Sequence, residues 1–190
     1  MDGVSKAAIK IDLQKAYDMV EWESLWLVME TMGFPWRFIF LVQRSVMTPR
    51  FSININGTLK GCFTSSRGLR EGDPISSYLF LLVLEVFNGI MKEACQGGDF
   101  QFHHQCDRQH IIHLIFANDM VIVVTPTEKT VKVVMECLFK FGNITCLKLN
   151  FSKRRVFFGS MKAEEKEKIC RWLSMEEGSL PMKSNFRAFD

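Results

Sequence analysis

The stretch that most constrains this chain runs from Ile111 to Val124, Ile-Ile-His-Leu-Ile-Phe-Ala-Asn-Asp-Met-Val-Ile-Val-Val. Two apolar, β-branched-rich runs flank one short polar break, and neither run has the length of an ordinary helix. The pattern predicts a buried β-hairpin with Asn118 and Asp119 at its turn, where asparagine tolerates the positive φ of tight turns. A core hairpin with a polar tip explains those residues without any chemistry. A carboxylate on a rigid hairpin tip is also well placed to hold a metal ion, provided a second carboxylate arrives from elsewhere in the chain.

A length of 190 residues predicts one domain, or one domain with a short appendage. With 47% hydrophobic residues and 17 phenylalanines, a sizeable core can form. No uninterrupted apolar run reaches the ~18 residues of a membrane span. The stretch from Met1 to Lys10 lacks the apolar centre of a signal peptide, so the expectation is a soluble, intracellular chain with no membrane partner. Six cysteines, at 62, 95, 106, 137, 146 and 170, form no C-x-x-C pair, which argues against a zinc ribbon or a disulfide framework and for free thiols. A net charge of +3 excludes nothing, although Lys148 to Arg171 holds eight Lys/Arg against three Glu. Such a stretch suits a polyanion and equally a solvated face.

Taken in order, Ala7 to Ile11 reads as a short strand ending at Asp12. Asp18, with Glu21 in capping-box position, predicts the start of a helix that Gly33 ends. Pro35 opens a second helix towards Met47, and Phe51 to Phe63 folds back on Asn56-Gly57 as a hairpin. Arg67 to Pro74 is a loop, after which Ser76 or Ser77 caps a long apolar helix to about Cys95. Beyond the central hairpin, Glu128 to Phe141 is helical, Leu147 to Asn150 and Val156 to Gly159 are short strands, and Lys162 to Leu173 is a final helix. The order predicts an α+β fold, an antiparallel sheet with helices packed on one face. His103, Cys106, His110 and His113 crowd together before the central hairpin and leave a zinc site as a lesser alternative to ordinary strand histidines.

Asp12 ends the first strand as Asp119 caps the hairpin, so neighbouring strands would bring two carboxylates to one sheet edge. Hard oxygen ligands of that kind suit magnesium, which keeps waters and also takes phosphate oxygens. Two such ions ~3.5–4 Å apart can activate an attacking hydroxyl and stabilise a leaving pyrophosphate.

Three segments then resemble successive motifs of one family. They are Lys10-Ile11-Asp12-Leu13-Gln14-Lys15-Ala16-Tyr17-Asp18-Met19-Val20, Arg67-Gly68-Leu69-Arg70-Glu71-Gly72-Asp73-Pro74-Ile75-Ser76-Ser77-Tyr78-Leu79-Phe80, and Phe116-Ala117-Asn118-Asp119. They are similar to the K-x-D-x-x-K-A-[FY]-D-x-V, R-G-L-R-Q-G-D-P-L-S-P-[YF]-L-F and F-A-D-D patterns of reverse transcriptases of non-LTR (LINE-type) retrotransposons, the plant variety above all. Leu147-Lys148-Leu149-Asn150 with Lys153, and Glu177-Gly178-Ser179-Leu180-Pro181, resemble later segments of the same family.

The resemblance implies the palm of a right-hand polymerase with partial fingers elements over residues 1–182, and a C-terminal tail over 183–190. It implies a truncated copy that starts just ahead of the first catalytic strand and stops where a thumb would start. It implies DNA synthesis templated by RNA on a DNA primer from deoxynucleoside triphosphates, with two Mg2+ ions, or Mn2+, as cofactors. Asp12 and Asp119 would be metal ligands and catalytic, with the Leu13 carbonyl a further ligand facing substrate. Tyr17 would stack under the incoming sugar and exclude a 2′-hydroxyl. Arg70, Glu71 and Gly72 would lie against incoming nucleotide and template, and Lys153 would be a proton donor or triphosphate contact.

The chain departs from the pattern at two places that bear on chemistry. Asn118 stands where the family has the first aspartate of F-A-D-D, and Glu71 stands where it has glutamine. An amide removes a formal charge from a site built for two dications, and a carboxylate beside a triphosphate is repelled by it. Cys146 also replaces a glycine. The expectation is an activity lost or greatly reduced, with a non-catalytic nucleic-acid- or protein-binding palm as the alternative.

Overall fold

The computed structural model describes residues 6–97, 100, 113–116, 119–150, 152–159 and 161–179. The chain divides into two compact units, one of Met1–Gln14, Gly89–Lys140 and Lys148–Asp190, the other of Lys15–Asn88 and Phe141–Leu147.

The first unit is built on a five-stranded sheet. Its members are β1 (Ala7–Asp12), β4 (His113–Phe116), β5 (Asp119–Val124), β6 (Arg155–Phe158) and the two-residue β7 (Glu176–Glu177), in the order β4-β5-β1-β6-β7. For this numbering, β2 is Arg50–Ile55 and β3 is Thr58–Thr64, both in the second unit. β1 pairs antiparallel with β5 on one side and β6 on the other, and β7 adds to β6 in parallel. Successive side chains on a strand point to opposite faces, and that period of two sorts β1 cleanly. Ala7, Ile9 and Ile11 are buried, and Ile9 sits in a row with Ile122 of β5 and Val156 of β6, none of them exposed. Lys10 and Asp12 therefore share the other face with Asp119, Val121 and Arg155. A slip of one residue would exchange these sets, so burial of the Ile9 row fixes where the two aspartates sit.

The expected hairpin from Ile111 to Val124 is present as β4 and β5, with Leu114 opposite Val121 and Phe116 opposite Asp119. Asp119, expected in the turn, is instead the first residue of β5, where it pairs with Phe116 and Asp12. Ala117 and Asn118 lie outside the described residues, as do His103, Cys106 and His110 of the zinc alternative. His113 is on β4 opposite Ile122. Leu147 to Asn150 forms no regular strand, only an isolated bridge from Leu149 to Leu13.

In the second unit, α1 (Trp22–Thr31) starts later than the capping box predicts. Glu21 is the N-cap but makes no side-chain cap bond, because its carboxylate pairs with the Arg67 guanidinium at 3.2 Å. Asp18 lies in the preceding turn, which the Met19 amide closes on the Lys15 carbonyl at 3.0 Å. α2 (Trp36–Met47) follows, and then the β2–β3 hairpin. Asn56 and Gly57 both take positive φ, 50° and 81°, as a two-residue primed turn requires.

The long helix α3 (Pro74–Gln96) begins at Pro74, not at Ser76 or Ser77. Asp73 Oδ1 accepts the Ile75 amide at 3.1 Å, and proline at the first helical position has no amide to leave unsatisfied. α3 is long and apolar enough to cross a membrane by length and composition, and it buries Leu79, Phe80, Val83, Leu84, Phe87, Ile90 and Met91 in the protein. α4 (Glu128–Thr145) and α5 (Ala163–Leu173) complete the chain order.

All five described cysteines are free. Burial pushes the Cys95 thiol up to about 11 and raises Cys137 as well, which keeps both protonated and poorly nucleophilic at neutral pH. Cys146, directly after α4, holds φ at +58°, a left-handed conformation that glycine takes without a Cβ penalty. Its replacement of glycine is thus a conformational cost and more than a change of side chain. Cys146→Gly is expected to stabilise the protein by about 1 kcal/mol, read as a higher midpoint in urea unfolding.

Candidate active site

β1 and β5 bring Asp12 and Asp119 into direct register across the sheet. Directly opposed residues hold their Cβ atoms about 4.5–5.5 Å apart, and like charges there repel. Two lysines offset that repulsion. Lys10 Nζ is 3.0 Å from Asp119 Oδ2 with both side chains largely buried, and Lys153 Nζ is 3.6 Å from Asp12 Oδ2. The Lys10 contact is the stronger, since Lys153 is 54% exposed and screened by water.

Asp12 itself is only 3% exposed and is held from the side by Asn150, whose Nδ2 donates to Asp12 Oδ2 at 3.0 Å. Asn150 is fixed in turn, because its Oδ1 accepts from the Ser152 amide at 3.2 Å and hydroxyl at 2.8 Å. The backbone repeats the link, with the Asn150 amide donating to the Asp12 carbonyl at 2.8 Å. Lys10, Asp12, Asp119 and Lys153 line one open cleft of about 510 Å³.

Whether this pair suits a divalent cation can be read from Asp119. Its Oδ1 is buried and has no hydrogen-bond partner among the described residues. A buried carboxylate oxygen without a partner is costly, and a hard cation is the partner its chemistry favours. Among the described residues no group of three or more His, Cys, Asp or Glu could enclose a metal. A cation here would complete its shell with water, backbone carbonyl or phosphate oxygen, the habit of magnesium. The residues fit such an ion.

Leu13, the neighbour of Asp12 in the first unit, is buried, and Asn118 lies outside the described residues. Tyr17, Arg70, Glu71 and Gly72 belong to the second unit and are described there. The Tyr17 ring stacks on Phe80, centroids 4.9 Å apart and planes at 25°. The Arg67–Pro74 loop is tied beneath it. The Gly68 amide donates to the Val20 carbonyl and the Leu69 amide to the Tyr17 carbonyl, both at 2.8 Å, while Trp22 Nε1 donates to the Gly68 carbonyl at 2.8 Å. Arg70 and Glu71 are exposed and line a cleft of about 730 Å³ together with Lys15, Asp18, Arg67 and Asp73. Gly72 has φ +83°, yet open space surrounds the position of a Cβ. Its left-handed conformation favours glycine. Close approach is the business of Gly68, where a Cβ would come within 2.9 Å of the Asp18 carbonyl oxygen.

The sequence assigns no role to Lys10 or Asn150, although both stand in the quoted segments. Lys10 is open to inference, since it lies two residues before Asp12 and must share its strand face. Asn150 is not, because its contact spans 138 residues of chain.

Residues 2–176 match the family model described as reverse transcriptase (RNA-dependent DNA polymerase). The chain is 24% identical over 175 residues to the transposon TX1 uncharacterized 149 kDa protein of Xenopus laevis, covering 92% of this chain and 13% of that one. It is 27% identical over 158 residues to the retrovirus-related Pol polyprotein from the type-2 retrotransposable element R2DM of Drosophila melanogaster, covering 83% and 14%. An uncharacterized mitochondrial protein of Arabidopsis thaliana is 44% identical over 66 residues, 34% of this chain and 54% of the relative. The chain thus spans about half of one relative and a small part of the others. Among solved structures, an apo telomerase of Candida tropicalis truncated from its C-terminal domain superposes with a TM-score of 0.64 at 12% identity, over 84% of this chain and 32% of that one. That likeness concerns the fold, an α+β polymerase palm. Members of the matched family use divalent metal ions. The chain belongs to the reverse transcriptase (RNA-dependent DNA polymerase) family, as a domain of the non-LTR retrotransposon kind.

Proposed function

We propose that Asp12 and Asp119 form the metal-binding centre of template-directed DNA synthesis on RNA, and that Asn118 leaves this copy greatly impaired. The observation that supports the centre most directly is the register pairing of the two aspartates, with Asp119 Oδ1 buried and unpartnered among the described residues. Mg2+ ions bound there, or Mn2+, would activate a primer 3′-hydroxyl and stabilise the leaving pyrophosphate. Asn150 keeps the Asp12 carboxylate aimed, and the Leu13 carbonyl adds a neutral oxygen ligand. Lys10 limits the repulsion within the aspartate pair. Lys153 places its Nζ 3.6 Å from Asp12 Oδ2, within reach of a triphosphate or of the leaving group.

Substrate choice falls to the second group of residues. Tyr17, braced flat on Phe80, is rigid enough to reject a sugar carrying a 2′-hydroxyl. Arg70 attracts phosphate, Gly72 lets the loop turn, and Glu71 opposes the negative charge that Arg70 would bind. In a chain restored to activity, Tyr17→Val is expected to raise ribonucleotide incorporation at least tenfold relative to deoxyribonucleotide, measured as the ratio of kcat/KM values. An unchanged ratio would remove Tyr17 from the sugar site.

The test of the proposal is primer extension on an RNA template in magnesium, comparing the chain with Asn118→Asp and with Asn118→Asp/Glu71→Gln. Efficient extension by the unmodified chain would overturn the impairment. Extension by none of the three would favour the second reading, a non-catalytic palm retained for nucleic-acid or protein binding. In its nucleic-acid form that reading predicts binding to RNA–DNA duplex with steep salt dependence.

A further inference from the structure

The segment from Pro35 to Thr64 contains Arg37, Arg44, Arg50 and Lys60 and neither Asp nor Glu. All four cations are exposed. In a chain with 21 acidic residues among 190, so long a gap is unusual, and it coincides with an unusual surface. α2 buries only Ile39 and Val42, while Trp36 is 72% exposed, Phe40 50% and Phe38 44%. Trp36, Phe40 and Arg44 recur every four residues and so form one stripe along the helix. The Arg37 guanidinium lies 5.7 Å from the Trp36 ring centroid, and that of Arg44 lies 5.9 Å from the Phe40 ring.

We propose that the α2 face carrying Trp36, Phe40, Arg37 and Arg44 is a binding surface for single-stranded RNA. Water-exposed aromatic faces beside guanidinium groups suit unstacked bases next to phosphates, the combination that single-strand binders use. Base faces in a duplex are already stacked, so a duplex could engage only the cations. A protein partner would meet Arg37 and Arg44 with no carboxylate on this stretch to pair with its own cations, whereas a polyanion neutralises both. That the strand is RNA rests on the proposed function, which supplies single-stranded RNA as template. The carboxylates of the preceding helix, Glu23 and Glu30, lie outside the stretch and keep the surface from being uniformly basic.

The experiment is fluorescence anisotropy of a labelled, unstructured RNA of about 12 nucleotides, within the length that a compact single-strand site covers. It is run on the whole chain without metal or nucleotide, so that it does not depend on polymerisation. Trp36→Ala/Phe40→Ala is expected to weaken binding about tenfold or more, with the circular dichroism spectrum unchanged because both rings are exposed. Trp36→Phe, which keeps a ring, should retain most of the affinity where Trp36→Leu does not. Arg37→Ala/Arg44→Ala is expected to flatten the salt dependence by about 0.7 in log–log slope for each phosphate that is no longer neutralised. Affinity that ignores the rings, equal affinity for duplex or for DNA of the same sequence, or a ring-dependent dimer in sedimentation would overturn the proposal. Ring-dependent RNA binding in a chain whose Asn118→Asp variant extends no primer would sink the polymerase reading alone. Extension by that variant with ring-independent RNA binding would sink this surface alone.

Discussion

Asn118→Asp is expected to raise the rate of primer extension on an RNA template about a hundredfold or more in magnesium. A carboxylate ligand contributes several kcal/mol of charge stabilisation at a centre where two dications meet a triphosphate, and each 1.36 kcal/mol is a factor of ten. On the proposed reading asparagine would still offer an oxygen, so coordination would be weakened and not abolished, while the missing charge would be felt throughout the reaction. The surrounding pair supports this reading. Lys10 and Lys153 already balance Asp12 and Asp119. With Asn118 in place, incoming cations face two carboxylates already countered by two ammonium groups, and the substitution to aspartate restores net negative charge. The metal requirement should therefore fall with the rate gain, and a magnesium titration of the variant is expected to saturate at lower concentration. Glu71→Gln added to that variant should act mainly on the KM for nucleotide, because Glu71 is exposed and its repulsion is screened. An Asn118→Asp variant that binds magnesium more tightly and yet extends no faster would refute the proposal that Asn118 at the metal centre is what limits the rate.

Gly68→Ala is expected to lower the free energy of unfolding by roughly 2–5 kcal/mol. A left-handed conformation costs an L-residue about 1–2 kcal/mol, and forcing an extra methyl into packed structure costs about 1–3 kcal/mol more. Gly68 has φ +90°, and its added Cβ would meet the Asp18 carbonyl oxygen at 2.9 Å, Cα at 3.1 Å and carbonyl carbon at 3.2 Å. These are backbone atoms that cannot rotate away. The loop they would displace is the one tied to Val20, Tyr17 and Trp22, so the damage should reach the Tyr17 ring. Gly72→Ala is the control. It carries a similar φ of +83° in open space and should cost only about 1 kcal/mol. Urea unfolding of both variants separates close approach from conformation, and equal losses would refute the distinction.

The elements with strong local signals were legible in the chain. Asn56-Gly57 between alternating strands specifies its hairpin, because only such residues take two positive φ angles cheaply. The long apolar helix and the central hairpin were equally plain from periodicity. Local signals failed where a distant partner competed for the same group. Glu21 reads as part of a capping box but is taken by Arg67, and α1 starts after it. Leu147 to Asn150 reads as a strand, yet its amides and carbonyls serve Gln14 and Asp12 through single links.

The sequence by itself determined the residue types at the centre, their order along the chain, the motif resemblance and the face that Lys10 must share with Asp12. All of these follow from composition and from the period of two along a strand. Only the tertiary structure decided that Asp12 stands opposite Asp119, that Asn150 holds Asp12, and that Gly68 rather than Gly72 is the glycine under steric constraint. Those facts depend on register between segments far apart in the chain. Register is set by burying Ile9, Ile122 and Val156 in one row, a cooperative choice that no local stretch encodes.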